Sequence, residues 1–247
     1  MFSQLKYLLR KSGMELRDAI RGPHYRIEGT KLTLPRGGRP SLKSAVIHDT
    51  YERDEREMIK AFLPPELPVI EFGGSFGIVS FTIRRCLLPS QRLVVVEANP
   101  IIVPFCRANV EQAGSVENTT VVQAALAYGD GVVRFKLSDN VHTSHVVFDG
   151  STGADIVDVP SVTLKSIRAS HGITGPYCLV CDIEGAELIL LRNEADALAD
   201  CHMMILETHP ADYGALGGSL EEVMQRIDAL GFRVFNKRSD VVAARRG

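Results

Sequence analysis

From Pro68 onward the chain repeats one pattern: a short apolar run, a turn of small residues, then a longer segment with helical spacing. Val69-Ile-Glu-Phe72 leads into Phe76 to Leu88, and Arg92-Leu-Val-Val-Val-Glu97 leads into a segment opened by Asn99-Pro100. Val121 and Val122 mark a third strand, and Gly129-Asp-Gly131 reads as a hairpin turn into Val132 to Leu137. Tyr177-Cys-Leu-Val-Cys-Asp182 precedes a helical stretch over 185–198, and Met203-Met-Ile-Leu-Glu207 follows it. A strand apolar at every position is covered on both faces, which is the habit of parallel sheets flanked by helices. The alternation therefore predicts an α/β, mostly parallel, doubly wound sheet. Ser219 to Glu222 has the spacing of a capping box and opens a helix to Leu230. Phe232 to Phe235 and Val241 to Ala244 then close the chain as an antiparallel strand pair.

Residues 1–48 do not follow that rhythm, and they divide the chain into an N-terminal extension and a domain over 49–247. Leu5, Leu8, Leu9, Leu16 and Ile20 have loosely helical spacing, as a docking helix would. Tyr25 to Leu34 alternates as two short strands around Gly29, and Pro35 to Pro40 reads as a loop. A helix is expected near 50–63, capped by Asp49 or Thr50 and stopped by Pro64-Pro65. No apolar run is long enough to span a membrane. Twenty-eight basic against 30 acidic side chains leave a formal charge of −2, so nothing pulls the whole molecule toward nucleic acid. Five cysteines without framework spacing fit a reducing, cytoplasmic setting. Cys178 and Cys181 lie three apart in a strand, so they point to opposite faces and form no metal or redox pair. The oligomeric state is left open.

Four motifs carry chemistry, each at the carboxyl end of an expected strand, where open α/β sheets bind ligands. The first is Glu71-Phe-Gly-Gly-Ser-Phe-Gly77, whose glycines let the backbone come close to a ligand. Its spacing differs from the dinucleotide fingerprint, which counts against a dehydrogenase. The second is Glu97, 20 residues after Gly77, where a carboxylate accepts hydrogen bonds from both ribose hydroxyls. The third, Asp182-Ile-Glu-Gly-Ala-Glu187, sets three acids within six residues, an arrangement that repels itself unless it has a cation, hydroxyl or amine to serve. Glu187 has a second reading as a first-turn helix acid. The fourth, Glu207-Thr-His-Pro210, adds a carboxylate and an imidazole on the same sheet edge. The polar stretch 138–160 reads as an insertion over the crevice, with His142 and His145 as substrate contact or, less favourably, half a metal site.

These strings, with Glu97-Ala-Asn-Pro100 and Leu206-Glu-Thr-His209, closely resemble the FkbM-type methyltransferases over about Tyr51 to His209. The resemblance implies a Rossmann-like class I methyltransferase fold with a seven-stranded sheet and S-adenosylmethionine as cofactor. It implies that Glu71, Gly73, Gly74, Ser75 and Gly77 surround the methionine end. Glu97 and Ala98 would meet the ribose, Asn99 would lie beside the adenine, and Ala124-Ala125 would line its pocket. Asp182, Glu184, Glu207 and His209 would face the substrate, Asp182 also reaching the cofactor. Ser75 departs from the family, which more often has Asn there.

The leading expectation is methyl transfer to a hydroxyl of a sugar, glycan or natural product, with Asp182, Glu184 or His209 as general base. A carboxyl acceptor needs no base, so the abundance of acids favours a hydroxyl. Carboxyl or N-methylation, and a non-catalytic cofactor-binding module, stand as alternatives. No dedicated metal ligand is assigned, although the same acids could gather a divalent cation that lowers the hydroxyl pKa.

Overall fold

The computed structural model describes residues 2–36, 40–129, 131–138, 145–147 and 153–247. Helix α1 (Phe2–Arg21) is followed by the hairpin of β1 (His24–Ile27) and β2 (Thr30–Thr33), then α2 (Pro40–Ile47) and α3 (Arg53–Phe62). The first strand–helix units are β3 (Val69–Phe72) with α4 (Ile78–Cys86), and β4 (Leu93–Glu97) with α5 (Val103–Glu111). β5 (Thr119–Gln123) completes this half. β6 (Ala125–Leu126), β7 (Val132–Lys136), β8 (His145–Val146), β9 (Ile156–Val162) and α6 (Leu164–Ser170) form the middle of the chain. β10 (Tyr177–Cys181), α7 (Glu187–Asn193), α8 (Ala195–Leu198), β11 (Cys201–Glu207) and α9 (Pro210–Tyr213) follow. The chain ends with α10 (Leu220–Ala229), β12 (Phe232–Arg238) and β13 (Val241–Arg246).

The main sheet has seven strands in the order β12-β13-β11-β10-β3-β4-β5, parallel from β11 to β5, with β12 and β13 antiparallel. This is the Rossmann-like methyltransferase architecture. The uninterrupted valines of β4 explain themselves here, because the sheet separates two cores. Val94 and Val96 join Ile70, Phe72 and Leu179 on one face, while Leu93 and Val95 join Val69 and Val180 on the other. Cys178 and Cys181 fall on opposite faces, in different cores, and both are free. The strand order reverses between β3 and β10, which leaves a crevice at their carboxyl ends.

Several local expectations are corrected by tertiary contacts. Neither Asp49 nor Thr50 caps α3. Glu52 occupies that position in a left-handed conformation, and Asp49 instead accepts a bond from Arg56 at 2.6 Å. Asn99 does not cap α5. Its side chain closes a turn by accepting from the Ile101 N–H, and the helix starts at Val103. The expected helix over 185–198 is two short helices broken at Glu194, whose buried carboxylate accepts from the Leu164 N–H at 2.7 Å. Gly129 to Gly131 does not join a hairpin, because β7 pairs with β9 and β8 while β6 runs parallel to β9. α2 occupies a stretch that carried no helix expectation, and Pro40 is its first residue. Ser219 does cap α10 through the Glu222 N–H, but the Glu222 carboxylate turns to Arg192 and Arg226 instead of closing the box.

The β1–β2 hairpin docks on the sheet domain through Asn109. Its amide donates to the Thr33 and Phe76 carbonyls and accepts from the Thr33 N–H at 2.7 Å. Tyr25, Leu32 and Leu34 share a small core with Phe76, Ile78 and Ile102. α1 is pinned to this unit by Asp18, which is buried and accepts from Lys43 at 2.5 Å and from the Tyr25 hydroxyl at 2.5 Å. Burial works against the Asp18 charge, but the Lys43 and Tyr25 bonds prevail and hold its pKa below the ordinary value. Its contribution to stability is therefore present above the unfolded pKa of 3.8 and lost as pH falls through the lower folded value. Asp18→Asn should cost about 2 kcal/mol at neutral pH by weakening bonds to a buried ammonium. Thermal unfolding at pH 7 checks this, and an unchanged melting temperature would remove the pin. Among the described residues, no helix is long and apolar enough to cross a membrane.

Candidate active site

A cleft of about 700 Å³, measured out to open solvent, sits at the carboxyl ends of β3, β4 and β10. One wall is apolar: Val96 and Ala124 from the main-sheet side, Ala125, Leu126, Phe135 and Val146 from the β6–β9 unit. This wall suits a flat aromatic ligand. The other end is polar and carries Glu97, Ser75, Asp182 and Glu184. Tyr51 closes the cleft where the chain enters α3.

The glycine turn is built to tight tolerances. Gly73 has φ +95°, and a Cβ there would stand 1.7 Å from the Asp182 carbonyl oxygen. A Cβ on Gly74 would meet Val95 Cγ1 at 2.3 Å, and one on Gly77 the Cys106 carbonyl at 2.7 Å. All three glycines thus have a packing reason to be present, and only Gly73 also lines the cleft. Ser75 follows with φ +44°; its N–H donates to Glu97 Oε2 at 2.7 Å and its hydroxyl lies 3.2 Å from the Tyr51 hydroxyl. Glu97 Oε1 accepts from the Asn99 N–H, also at 2.7 Å. One carboxylate therefore ties two loops together at the cleft floor. Burial raises its pKa, against the backbone bonds from Asn99, Ser75 and Ala98.

Glu71 lies under this turn, outside the cleft lining. It shares the face of Val69, toward α4 and α5, is 1% exposed, and neither carboxyl oxygen has a hydrogen-bond partner among the described residues. Burial pushes its pKa up from 4.5 to about 8. Between those values the folded protein holds a proton that the unfolded chain has lost, so stability falls as pH rises through that window. Glu71→Gln should remove this slope: equal stability near pH 4, and about 4–5 kcal/mol more than the parent at pH 8.5. Melting curves at both pH values decide it, and parallel curves would mean that Glu71 is ionised in the fold.

At the polar end, His209 gathers the acids of the third motif. Its Nδ1 lies 3.1 Å from Glu187 Oε1, and its Nε2 lies 3.4 Å from Asp182 and 3.7 Å from Glu184. Glu187 is fully buried at the start of α7. It accepts from the Ile183 and Gly185 N–H groups and from the Tyr213 hydroxyl, which in turn accepts from the His209 N–H. Burial opposes the imidazolium, but Glu187, Asp182 and Glu184 outweigh it and raise the His209 pKa to about 10. The acids around it thus favour the protonated imidazole. Burial, opposed by His209, lifts Glu184 to about 7. Burial and the nearby Glu207, Glu55 and Glu52 push Asp182 far above the usual carboxylate range.

Of the residues singled out in sequence, Gly73, Ser75, Glu97, Ala98, Ala124, Ala125, Asp182 and Glu184 line one cleft. Glu71, Gly74, Gly77, Asn99, Glu207 and His209 stand behind it. His142 lies outside the described residues, and only the backbone of His145 is described. Tyr51, Ile102, Phe135 and Val146 line the cleft without having been expected. Phe135 and Val146 are brought by pairing within the β6–β9 unit, which has no local signal. Tyr51 had one, as the last large residue before an acidic helix start. Asp182, Glu187 and His209 bring a ligand atom each within 4.8 Å of one another, but their mutual bonds already occupy them.

The model of the FkbM methyltransferase domain matches residues 71–234, well over half of the chain. The chain belongs to the FkbM methyltransferase family. This FkbM domain is an S-adenosylmethionine-dependent methyltransferase by family and architecture. No curated protein matches it. Among solved structures, a protein of the NADB-Rossmann superfamily from Streptococcus agalactiae overlaps it at TM-score 0.47 and 10% identity, covering 78% of this chain and 68% of its own. The ribosomal protein L11 methylase of Lactobacillus delbrueckii subsp. bulgaricus gives TM-score 0.46 and 10% identity, with 80% of each chain covered. The O-methyltransferase TomG of Streptomyces achromogenes, in complex with S-adenosylmethionine, gives 0.45 and 12%, covering 79% of this FkbM domain and 81% of its own chain.

Proposed function

We propose that this FkbM domain moves a methyl group from S-adenosylmethionine to a hydroxyl oxygen of a small-molecule or glycan acceptor. The observation that carries this reading is the pair Asp182 and Glu184, which share the cleft with Glu97 and are backed by the His209 imidazolium. In the transfer, the acceptor oxygen attacks the methyl carbon and the carbon–sulfur bond breaks. The sulfonium keeps the electron pair and becomes the neutral thioether of S-adenosylhomocysteine, and the hydroxyl proton passes to a carboxylate. The donor is already activated, so the chain's work is to align the partners and take that proton. A carboxyl whose pKa has risen toward neutrality, as at Glu184, is a better base than an ordinary surface acid. His209 would steady the negative charge of Asp182 and Glu184 without giving up its own proton. The apolar wall would take the adenine, and Glu97 the ribose, through lone pairs not used by the Ser75 and Asn99 N–H groups.

The test is calorimetry with S-adenosylhomocysteine, then mass spectrometry of a panel of sugars and phenols after incubation with S-adenosylmethionine. Submillimolar binding and the mass gain of one methylene on a hydroxyl acceptor are expected. Glu97→Ala should weaken S-adenosylhomocysteine about 10-fold, because two ribose hydroxyls lose their acceptor. Unchanged affinity would remove Glu97 from the cofactor site, and methylation only of amines or carboxyls would overturn the choice of acceptor.

A further inference from the structure

Behind the cleft stands a second set of acids that the methyl-transfer reading does not use fully: Glu52 and Glu55 on the first turn of α3, and Glu207 at the end of β11. One carboxylate oxygen from each lies within 4.8 Å of the others. We propose that Glu52, Glu55 and Glu207 hold a hard divalent cation, magnesium, calcium or manganese, between the start of α3 and the end of β11.

An acid early in a helix has an ordinary reason to be there, since the helix N-terminus favours negative charge. That reason fails to cover Glu55. Its side chain is 1% exposed, turned inward among the neighbouring carboxylates, and its Oε2 has no hydrogen-bond partner among the described residues. Glu207 Oε2 is buried without a partner in the same way. A buried carboxylate oxygen left without a partner is costly, and Glu55 and Glu207 bring two such oxygens into one group of acids.

The nearby Arg56 and His209 favour the charged forms of Glu52 and Glu207, but their hydrogen bonds go to other groups. Arg56 donates to the Tyr51 carbonyl, Glu28 and Asp49. His209 is held by Glu187 and Asp182. Among the described residues the three candidate ligand atoms are all carboxylate oxygens, which is the ligand chemistry of hard cations and not of zinc. None of the three residues lines the cleft, and their ligand atoms lie within 4.8 Å of one another, close enough for one ion to meet all three.

A cation there would add a polar tie to the apolar packing of Met58 and Ile59 of α3 against Met203 and Ile205 of β11, beside the bonds from Ser239 to Asp54 at 2.6 Å and from Arg238 to Glu57 that hold α3 to the β12–β13 turn. It would also hold in place the cleft wall that carries Tyr51, the residue before Glu52.

The full chain, stripped of metal with a chelator, would be titrated with magnesium, calcium and manganese chlorides by calorimetry and by thermal unfolding, without cofactor. One cation per chain is expected, with a dissociation constant of about 1 mM or tighter, the weak end of carboxylate sites, and a rise in melting temperature. Glu55→Gln and Glu207→Gln keep the side-chain shape and should each weaken binding at least 10-fold. Circular dichroism establishes that both variants are folded. If Glu55→Gln does not fold, Glu207→Gln and Glu52→Gln carry the test. No heat and no thermal shift with any of the three cations would overturn the proposal, and so would unchanged affinity in the glutamine variants. S-adenosylhomocysteine binding is measured on the same cation-free samples, so failure of the cofactor reading is seen separately from failure of the cation site.

Discussion

Gly73→Ala is expected to destabilise the protein by at least about 4 kcal/mol, the scale reserved for backbone clashes that a core cannot absorb. The added Cβ would lie 1.7 Å from the Asp182 carbonyl oxygen and 2.8 Å from its carbon, both backbone atoms, so no side chain can swing aside. The φ of +95° adds strain for any residue with a Cβ. Relief requires β3 and β10 to part, and with them the bond from the Asp182 N–H to the Phe72 carbonyl at 2.9 Å. Gly13→Ala in α1 is the control. It meets nothing within 4 Å and should leave stability equal or up to about 1 kcal/mol higher, as a helical glycine replaced by alanine does. A melting temperature lowered by about 10 °C or more for Gly73→Ala and not for Gly13→Ala is the expected result. Equal melting temperatures would mean that the turn relaxes, and the glycine would then be explained by ligand approach alone.

Asp182→Asn is expected to keep S-adenosylhomocysteine bound and lower turnover by about 100-fold or more, the scale of a positioned acid–base group. Asparagine has the same shape, keeps the backbone bond to Phe72, and can neither take up nor release a proton. It also takes one of the three carboxylates from around His209, which remains paired with Glu187. The competing reading, that Asp182 only shapes the loop into α7, predicts a small stability loss and near-normal single-turnover methylation. That role already belongs to Glu187, which holds the Ile183 and Gly185 N–H groups. Near-normal turnover by the Asn variant would sink the catalytic role and pass it to Glu184.

The two predictions meet at one place, where β3 and β10 run side by side across the reversal of strand order. The Gly73 turn has no room to spare against the Asp182 backbone, so the glycine turn and the candidate base are held as one piece. Residues that act through others surround them. Glu187 fixes the His209 ring, and Tyr213 bridges the Glu187 carboxylate and the His209 backbone. Glu97 ties the Ser75 and Asn99 loops.

Much of this was legible in the chain itself. The unbroken apolar runs of β4 and β10 announced a parallel sheet with two cores, because only burial on both faces tolerates valine or leucine at every position. The opposite facing of Cys178 and Cys181 followed from the two-residue period of a strand. The four motifs fell at strand ends because that is where a doubly wound sheet opens. Other features were decided only by distant contacts. Asn99 carries a helix-start signal, yet it closes a turn beside Glu97 while α5 begins four residues later. Glu194 breaks a helix that periodicity ran through, because its carboxylate receives the first N–H of α6. His209 reads as a base from its residue type, and three acids drawn from a different strand end favour its protonated form. Glu55 stands in the first turn of α3, where acids are ordinarily solvated, yet it is buried close to Glu207. The sequence by itself determined what is periodic and local: strands, helices, the sheet class and the motifs at its edge. Charge state, side-chain partners and burial depend on which groups the fold brings within a few ångströms, and no local pattern in the chain records that.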